Sequence, residues 1–118
     1  MTNAIYKLVD RTEWSRARAT GEYDGSAVDR ADGYIHMSTD RQLAETARRH
    51  YAGRDGLVLV TIDPTVLGEA LRWEPSRGGD LFPHLYGPLP VAAAVSERDL
   101  SVTDDGGMIF ADGATGWA

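Results

Sequence analysis

Leu57-Val58-Leu59-Val60-Thr61-Ile62-Asp63 is a continuous run of leucine and β-branched residues, apolar at nearly every position, that ends on an aspartate. β-Branched side chains suit a pleated strand, and so short a run has strand length rather than helix length. A strand with one wet face alternates apolar and polar residues. This one does not, which predicts an interior strand covered on both faces. Gly53 and Gly56 close off whatever precedes it, and Pro64 to Gly68 turn the chain after it.

The segments before the run supply candidates to cover it. Ala4 to Val9 (AIYKLV) reads as a first strand, and Asp10 to Gly21 reads as a helix. Asp10 or Thr12 can cap that helix, Trp14 and Ala17 share a face with Arg18, and Gly21 ends it. Glu22 to Gly33, with Gly25 and two aspartates, reads as a loop. Tyr34-Ile35-His36-Met37 makes a short strand, and Ser38-Thr39-Asp40 is a capping cluster for a helix that runs to about His50. In that helix Leu43, Ala47 and Tyr51 fall at i, i+4 and i+8, so one face packs while Arg41, Glu45, Arg48 and Arg49 stay in water.

After the run, Leu71-Arg72-Trp73-Glu74 reads as a short strand and Pro90 to Val95 as another. Asp104-Asp105-Gly106-Gly107 followed by Met108-Ile109-Phe110 predicts a hairpin return. With 118 residues there is room for one core. The expected fold is α+β: a single domain over residues 1–118 with a mixed, mostly antiparallel sheet and two main helices, ending in a hairpin or tail over 101–118.

Charge and composition narrow the partners. Eighteen acids against twelve bases give a net charge of −6. Such a surface repels phosphate backbones and anionic membranes, so neither a nucleic-acid duplex nor a membrane is expected as partner. No apolar run approaches the roughly 20 residues of a membrane span, and the first residues lack a secretory pattern. The absence of cysteine excludes disulfides, thiolate catalysis and thiolate metal sites. These features predict a cytoplasmic protein. Composition leaves the oligomeric state open.

Chemistry concentrates between Trp73 and Pro88, where three prolines and three glycines surround Glu74, Arg77, Asp80, His84 and Tyr86. Such a stretch reads as a shaped loop. Glu74, between Trp73 and Pro75, is expected beside apolar surface, which raises a carboxyl pKa towards the range of acid–base work; pairing with Arg72 or Arg77 is the structural alternative. Ser76-Arg77-Gly78-Gly79 resembles an anion cradle, with turned backbone N–H groups and a guanidinium fork. It is neither a Walker loop nor a dinucleotide fingerprint. His36 and His84 each adjoin apolar residues, as core histidines do. With a carboxylate they would also suit a metal-assisted hydrolase, although no HxH or HExxH spacing supports a metal site. His50 reads as a cation at a helix end. Ser26, Ser38 and Ser76 all lack a nucleophile elbow.

Several motifs in order are familiar: Ile5-Tyr6-Lys7-Leu8, Gly25-Ser26-Ala27-Val28-Asp29, Asp32-Gly33-Tyr34-Ile35-His36-Met37-Ser38, Leu71-Arg72-Trp73-Glu74, and Ser76-Arg77-Gly78-Gly79 through Phe82-Pro83-His84-Leu85-Tyr86. Over residues 4–100 the chain resembles the domain of unknown function 952 family. That family in turn resembles a compact, divergent ADP-ribosyltransferase fold. The resemblance implies that Ser38 or Tyr34 lines a nicotinamide pocket and that Glu74 grips a ribose hydroxyl and steadies an oxocarbenium-like transition state. Lys7 stands where the first strand of those enzymes carries Arg or His, and lysine is a point charge rather than a fork or an imidazole.

The expected function is therefore an ADP-ribosyltransferase-like or NAD-glycohydrolase-like enzyme acting at the nicotinamide–ribose bond. Glu74, His36 and His84 are its catalytic candidates. Ser38, Tyr34, Arg77, Gly78, Gly79, Tyr86 and Lys7 would contact the ligand. NAD is a possible substrate, and no resident cofactor or metal is implied. The rival reading is a module that binds a small anionic or nucleotide-like molecule without catalysis.

Overall fold

Strand β4 (Leu57–Ile62) lies between β1 (Ile5–Asp10) and β8 (Ala94–Val102), with β9 (Met108–Phe110) on the outer side of β8; every pair is antiparallel. The structure, a computed structural model, describes residues 3–113 except for the side chain of Arg77. Leu57, Val58, Leu59, Val60 and Ile62 are all buried. Val58, Val60 and Ile62 join a core cluster with Ile5 and Val9, with Trp14 and Ala17 of α1 (Arg11–Thr20), and with Ile35 and Leu85. Leu57 and Leu59 join a second cluster with Leu8, Leu100 and Phe110 and with Leu43 and Ala47 of α3 (Asp40–His50). The two apolar registers of one strand thus serve two half-cores, which is why the run does not alternate.

Local signals set the ends of the long helices. Asp10 accepts from the Glu13 N–H at 3.1 Å, and Gly21 closes α1 with φ of 96°. The Gln42 side chain accepts from the N–H of Thr39, the N-cap of α3, at 3.0 Å.

Two short sheets complete the fold. β2 (Glu22–Tyr23) pairs with β7 (Leu89–Pro90). β6 (Leu81–Leu85) lies between β3 (Ile35–His36) and β5 (Leu71–Pro75), again antiparallel. The described residues thus form one α+β domain with three antiparallel sheets and three helices rather than one sheet and two helices.

Three segments differ from expectation. Within Glu22 to Gly33, read as loop, Ala27–Asp32 forms α2, whose buried residue is Asp29 rather than an apolar one. The proline-rich stretch contains the regular strand β6. The Pro83 carbonyl accepts from Met37 N–H at 3.0 Å, so its backbone polar groups face the side where β3 has ended, and the missing N–H costs no pairing with β5. Pro90 to Val95 is not one strand: β7 ends at Pro90, a 3₁₀ turn spans Val91–Ala93, and β8 begins at Ala94. The hairpin at Asp104 to Gly107 forms as expected, closed by Thr103 N–H to the Gly107 carbonyl at 2.8 Å.

Candidate functional site

The β3–β6–β5 sheet sorts its side chains by parity. His36 and Arg72 lie directly opposite His84 on either side, and Glu74 lies opposite Phe82. Opposed residues share a face, as do residues two apart on a strand. Tyr34, His36, Phe82, His84, Tyr86, Arg72 and Glu74 therefore belong to one face. Ile35, Leu71 and Leu85 belong to the other, which packs on the main core. Alternation carries polar chemistry outward from a sheet whose back is apolar.

On that face Glu74 Oε1 takes two hydrogen bonds. His84 Nδ1 lies 2.8 Å away, and the Tyr86 hydroxyl donates at 2.7 Å. A carboxylate only accepts, so the His84 proton sits on Nδ1. These two bonds, with lesser help from Arg72, hold the Glu74 carboxyl below the usual range. The bond to Glu74 in turn raises the Tyr86 phenol. Expectation is reversed here: Trp73, of opposite parity, leaves Glu74 beside polar donors rather than apolar surface, so its pKa falls instead of rising. Both bonds land on Oε1, and Glu74 is one-third exposed.

The rings are packed. Tyr34 stacks on His84 at 4.2 Å between centroids and lies 4.6 Å from His36 and 5.1 Å from Tyr86. The Arg72 guanidinium covers the Tyr86 ring at 4.7 Å. Burial, then the nearby carboxylates Asp32, Glu74 and Asp29, raise the Tyr34 phenol.

Behind His36 stands a carboxylate that the sequence reading did not single out. Asp29, 2% exposed, meets Lys7 Nζ at 3.0 Å and His36 Nδ1 at 2.6 Å, and accepts from the His36 backbone N–H at 3.1 Å. It also accepts from the Ser26 N–H at 2.9 Å, as half of the capping box that starts α2. Burial alone would raise this carboxyl; the His36 bond, the Lys7 charge and the two backbone donors outweigh it and hold the group well below the usual range. His36 Nε2 faces the exposed Asp32 at 2.9 Å. The signal available in the sequence was Ser26-x-x-Asp29, a capping-box spacing.

The remaining expected residues are placed differently. Lys7 is buried and spent on Asp29, so it presents no charge to a ligand. Ser38 is buried too, with its hydroxyl 2.9 Å from that of Thr46. Of the two pocket candidates, Tyr34 alone stands on the site face. Gly78 and Gly79 have φ of 71° and 84° in an exposed turn, but the Gly79 N–H is donated to the Ser76 carbonyl at 2.8 Å. That donor is not turned towards an anion. The Arg77 side chain lies outside the described residues. Both nitrogens of His36 lie within hydrogen-bond distance of carboxylates, Nδ1 of Asp29 and Nε2 of Asp32, and among the described residues no group of three or more His, Asp or Glu side chains is arranged to hold a metal ion.

Comparison with known proteins agrees with this fold. The crystal structure of protein CC0527 from Caulobacter crescentus is 50% identical over 87% of this chain and 90% of that one, with a TM-score of 0.83. Its solution NMR structure is likewise 50% identical, over 87% and 89%, with a TM-score of 0.76. No curated protein matches the chain. No helix among the described residues is long and apolar enough to cross a membrane. The sequence pattern described as "Protein of unknown function (DUF952)" matches residues 8–97, more than half of the chain, and the chain belongs to that family.

Proposed function

We propose that the Tyr34–His36–His84–Tyr86–Glu74 face is the site of an ADP-ribosyltransferase-like enzyme that acts on NAD or a related nucleotide. The observation that carries this reading is the Glu74 carboxylate, held ionised by His84 and Tyr86 beside a cluster of aromatic and imidazole rings. In the reaction the bond between ribose C1′ and the nicotinamide nitrogen breaks, and its electron pair leaves with nicotinamide. The ribosyl group becomes oxocarbenium-like, and the fixed negative charge of Glu74 stabilises it. An acceptor hydroxyl, amine or water then bonds to C1′ and gives up a proton. With Lys7 turned to the interior, His36 takes over the duty that the first-strand Arg or His has in those enzymes. Arg72, over the Tyr86 ring, supplies positive charge for phosphates.

The test is calorimetry with NAD, ADP-ribose and ATP, paired with an assay for nicotinamide release. Saturable binding with release supports the enzyme. Saturable binding without release, unaltered in Glu74→Gln, leaves a non-catalytic binding module. No measurable binding of any of the three defeats the nucleotide reading.

A further inference from the structure

We infer that Asp29 is a positioning residue, the buried anchor that aims the His36 ring at the candidate site, with Lys7 as its counter-charge. The inference deepens the nucleotide reading and rests on it for what His36 does with substrate; how the ring is held is a separate matter.

Asp29 Oδ1 meets His36 twice, at the backbone N–H and at Nδ1, which ties the backbone and the near side of the ring to one atom. A residue held at its backbone and at its ring by one buried group loses rotamer freedom before a ligand arrives. The carboxylate is itself immobilised by the Ser26 N–H and by Lys7. Space for it is made by Gly25: a Cβ there would come within 2.8 Å of Asp29 Cβ, and the φ of 99° already favours glycine. With Nδ1 bound inward, His36 presents Nε2 outward. That nitrogen now meets Asp32, half exposed and on the surface, which a ligand hydroxyl can displace at little cost. Asp29 and Asp32 thus have different tasks although both touch one ring. One builds the donor and the other occupies it.

Removing Asp29 alone strands the Lys7 charge in the core and endangers folding, so the test uses pairs. Lys7→Met/Asp29→Ala removes the acceptor and its counter-charge together, and Lys7→Met/Asp29→Asn keeps the shape should the first pair not fold. Asp32→Asn is the control. In ¹⁵N-correlated NMR the wild type and Asp32→Asn should show an exchange-protected Nδ1 proton at His36. Lys7→Met/Asp29→Ala should lose it while keeping a cooperative melt, and in the asparagine pair it should move upfield as its acceptor loses charge. An Nδ1 proton absent from the wild type, or unchanged in a folded pair, overturns the inference. Where the wild type releases nicotinamide, kcat in the folded pairs should fall roughly tenfold or more with KM nearly constant, because a side chain stabilises the transition state only when it is already aimed. A wild-type kcat in a pair that has lost the proton also overturns it. If the wild type neither binds nor cleaves NAD, the nucleotide reading falls and the ring proton still decides whether Asp29 holds His36.

Discussion

Glu74 and Asp29 show how differently two carboxylates with depressed pKa values can be used. Glu74 is one-third exposed, with Oε1 taking two hydrogen bonds; Asp29 is enclosed with both oxygens committed. Glu74→Gln keeps the shape and loses only the charge. It should bind nucleotide about as the wild type does and lower nicotinamide release by roughly 10² or more, because the charge matters only as the ribose becomes cationic. Arg72→Ala should do the reverse, raising Kd and KM for phosphate-bearing ligands more than it lowers kcat, with the Tyr86 ring uncovered as a second consequence. Lys7→Met should destabilise the fold by about 3–5 kcal/mol in urea titration, since it leaves Asp29 buried without its partner, whereas Lys7→Met/Asp29→Asn should recover much of that loss. Equal losses in the single and double variants would mean that charge is not what Lys7 contributes.

Elements became legible in proportion to how much of their burial is apolar. β4 could be read because its partners on both faces are hydrocarbon, and Leu59→Ala should cost about 2–5 kcal/mol by leaving a cavity between Leu8, Leu43 and Phe110; a loss below about 1 kcal/mol would mean that the second cluster collapses around the gap. α1 and α3 carried their caps and one apolar face each. α2 was illegible because Ala-Val-Asp-Arg-Ala-Asp buries a carboxylate, while its Val28 is 65% exposed, so apolar periodicity points the wrong way. β6 was masked by Pro83, whose cost depends on which neighbour its missing N–H faces, a property of the sheet and not of the residue. β8 was masked because Val95 to Asp99 lie largely in water. The same logic governs the site. Glu74, His84 and Tyr86 were legible as polar residues crowded into one short stretch. His36 was named beside them as a catalytic candidate, but the β3–β6 register that sets it opposite His84 is not encoded in local sequence, and Asp29 reaches the site through α2.

For the whole molecule, depressed carboxyl pKa values are a statement about acid. Asp29, Glu74, Asp63 and Asp105 all titrate below their ordinary values in the folded chain: Asp29 because its partners outweigh burial, Glu74 through His84 and Tyr86, Asp63 through Thr65, and Asp105 through Thr103. In the unfolded chain such groups protonate near 3.9 for Asp and about 4.3 for Glu. A carboxyl whose folded pKa lies below its unfolded one gives stability that is fully present above the unfolded value and lost as pH falls through the folded one. The melting temperature should therefore be nearly flat from about pH 7 to 5 and fall steeply below about 4. Lowering pH over the upper range also relieves the repulsion of a chain that carries −6 at pH 7, which opposes any early loss. Most of the acid fall should belong to Asp29, since it is the buried member of the set and the others are exposed enough for solvent to screen their partners. Thermal melts of the wild type and of Lys7→Met/Asp29→Asn across pH 3–7 check this, with the double variant expected to lose the steep limb and keep a shallow one. A wild-type Tm that instead falls steadily from pH 7, or a double variant with the same acid limb, would assign the acid sensitivity to groups other than the buried carboxylate.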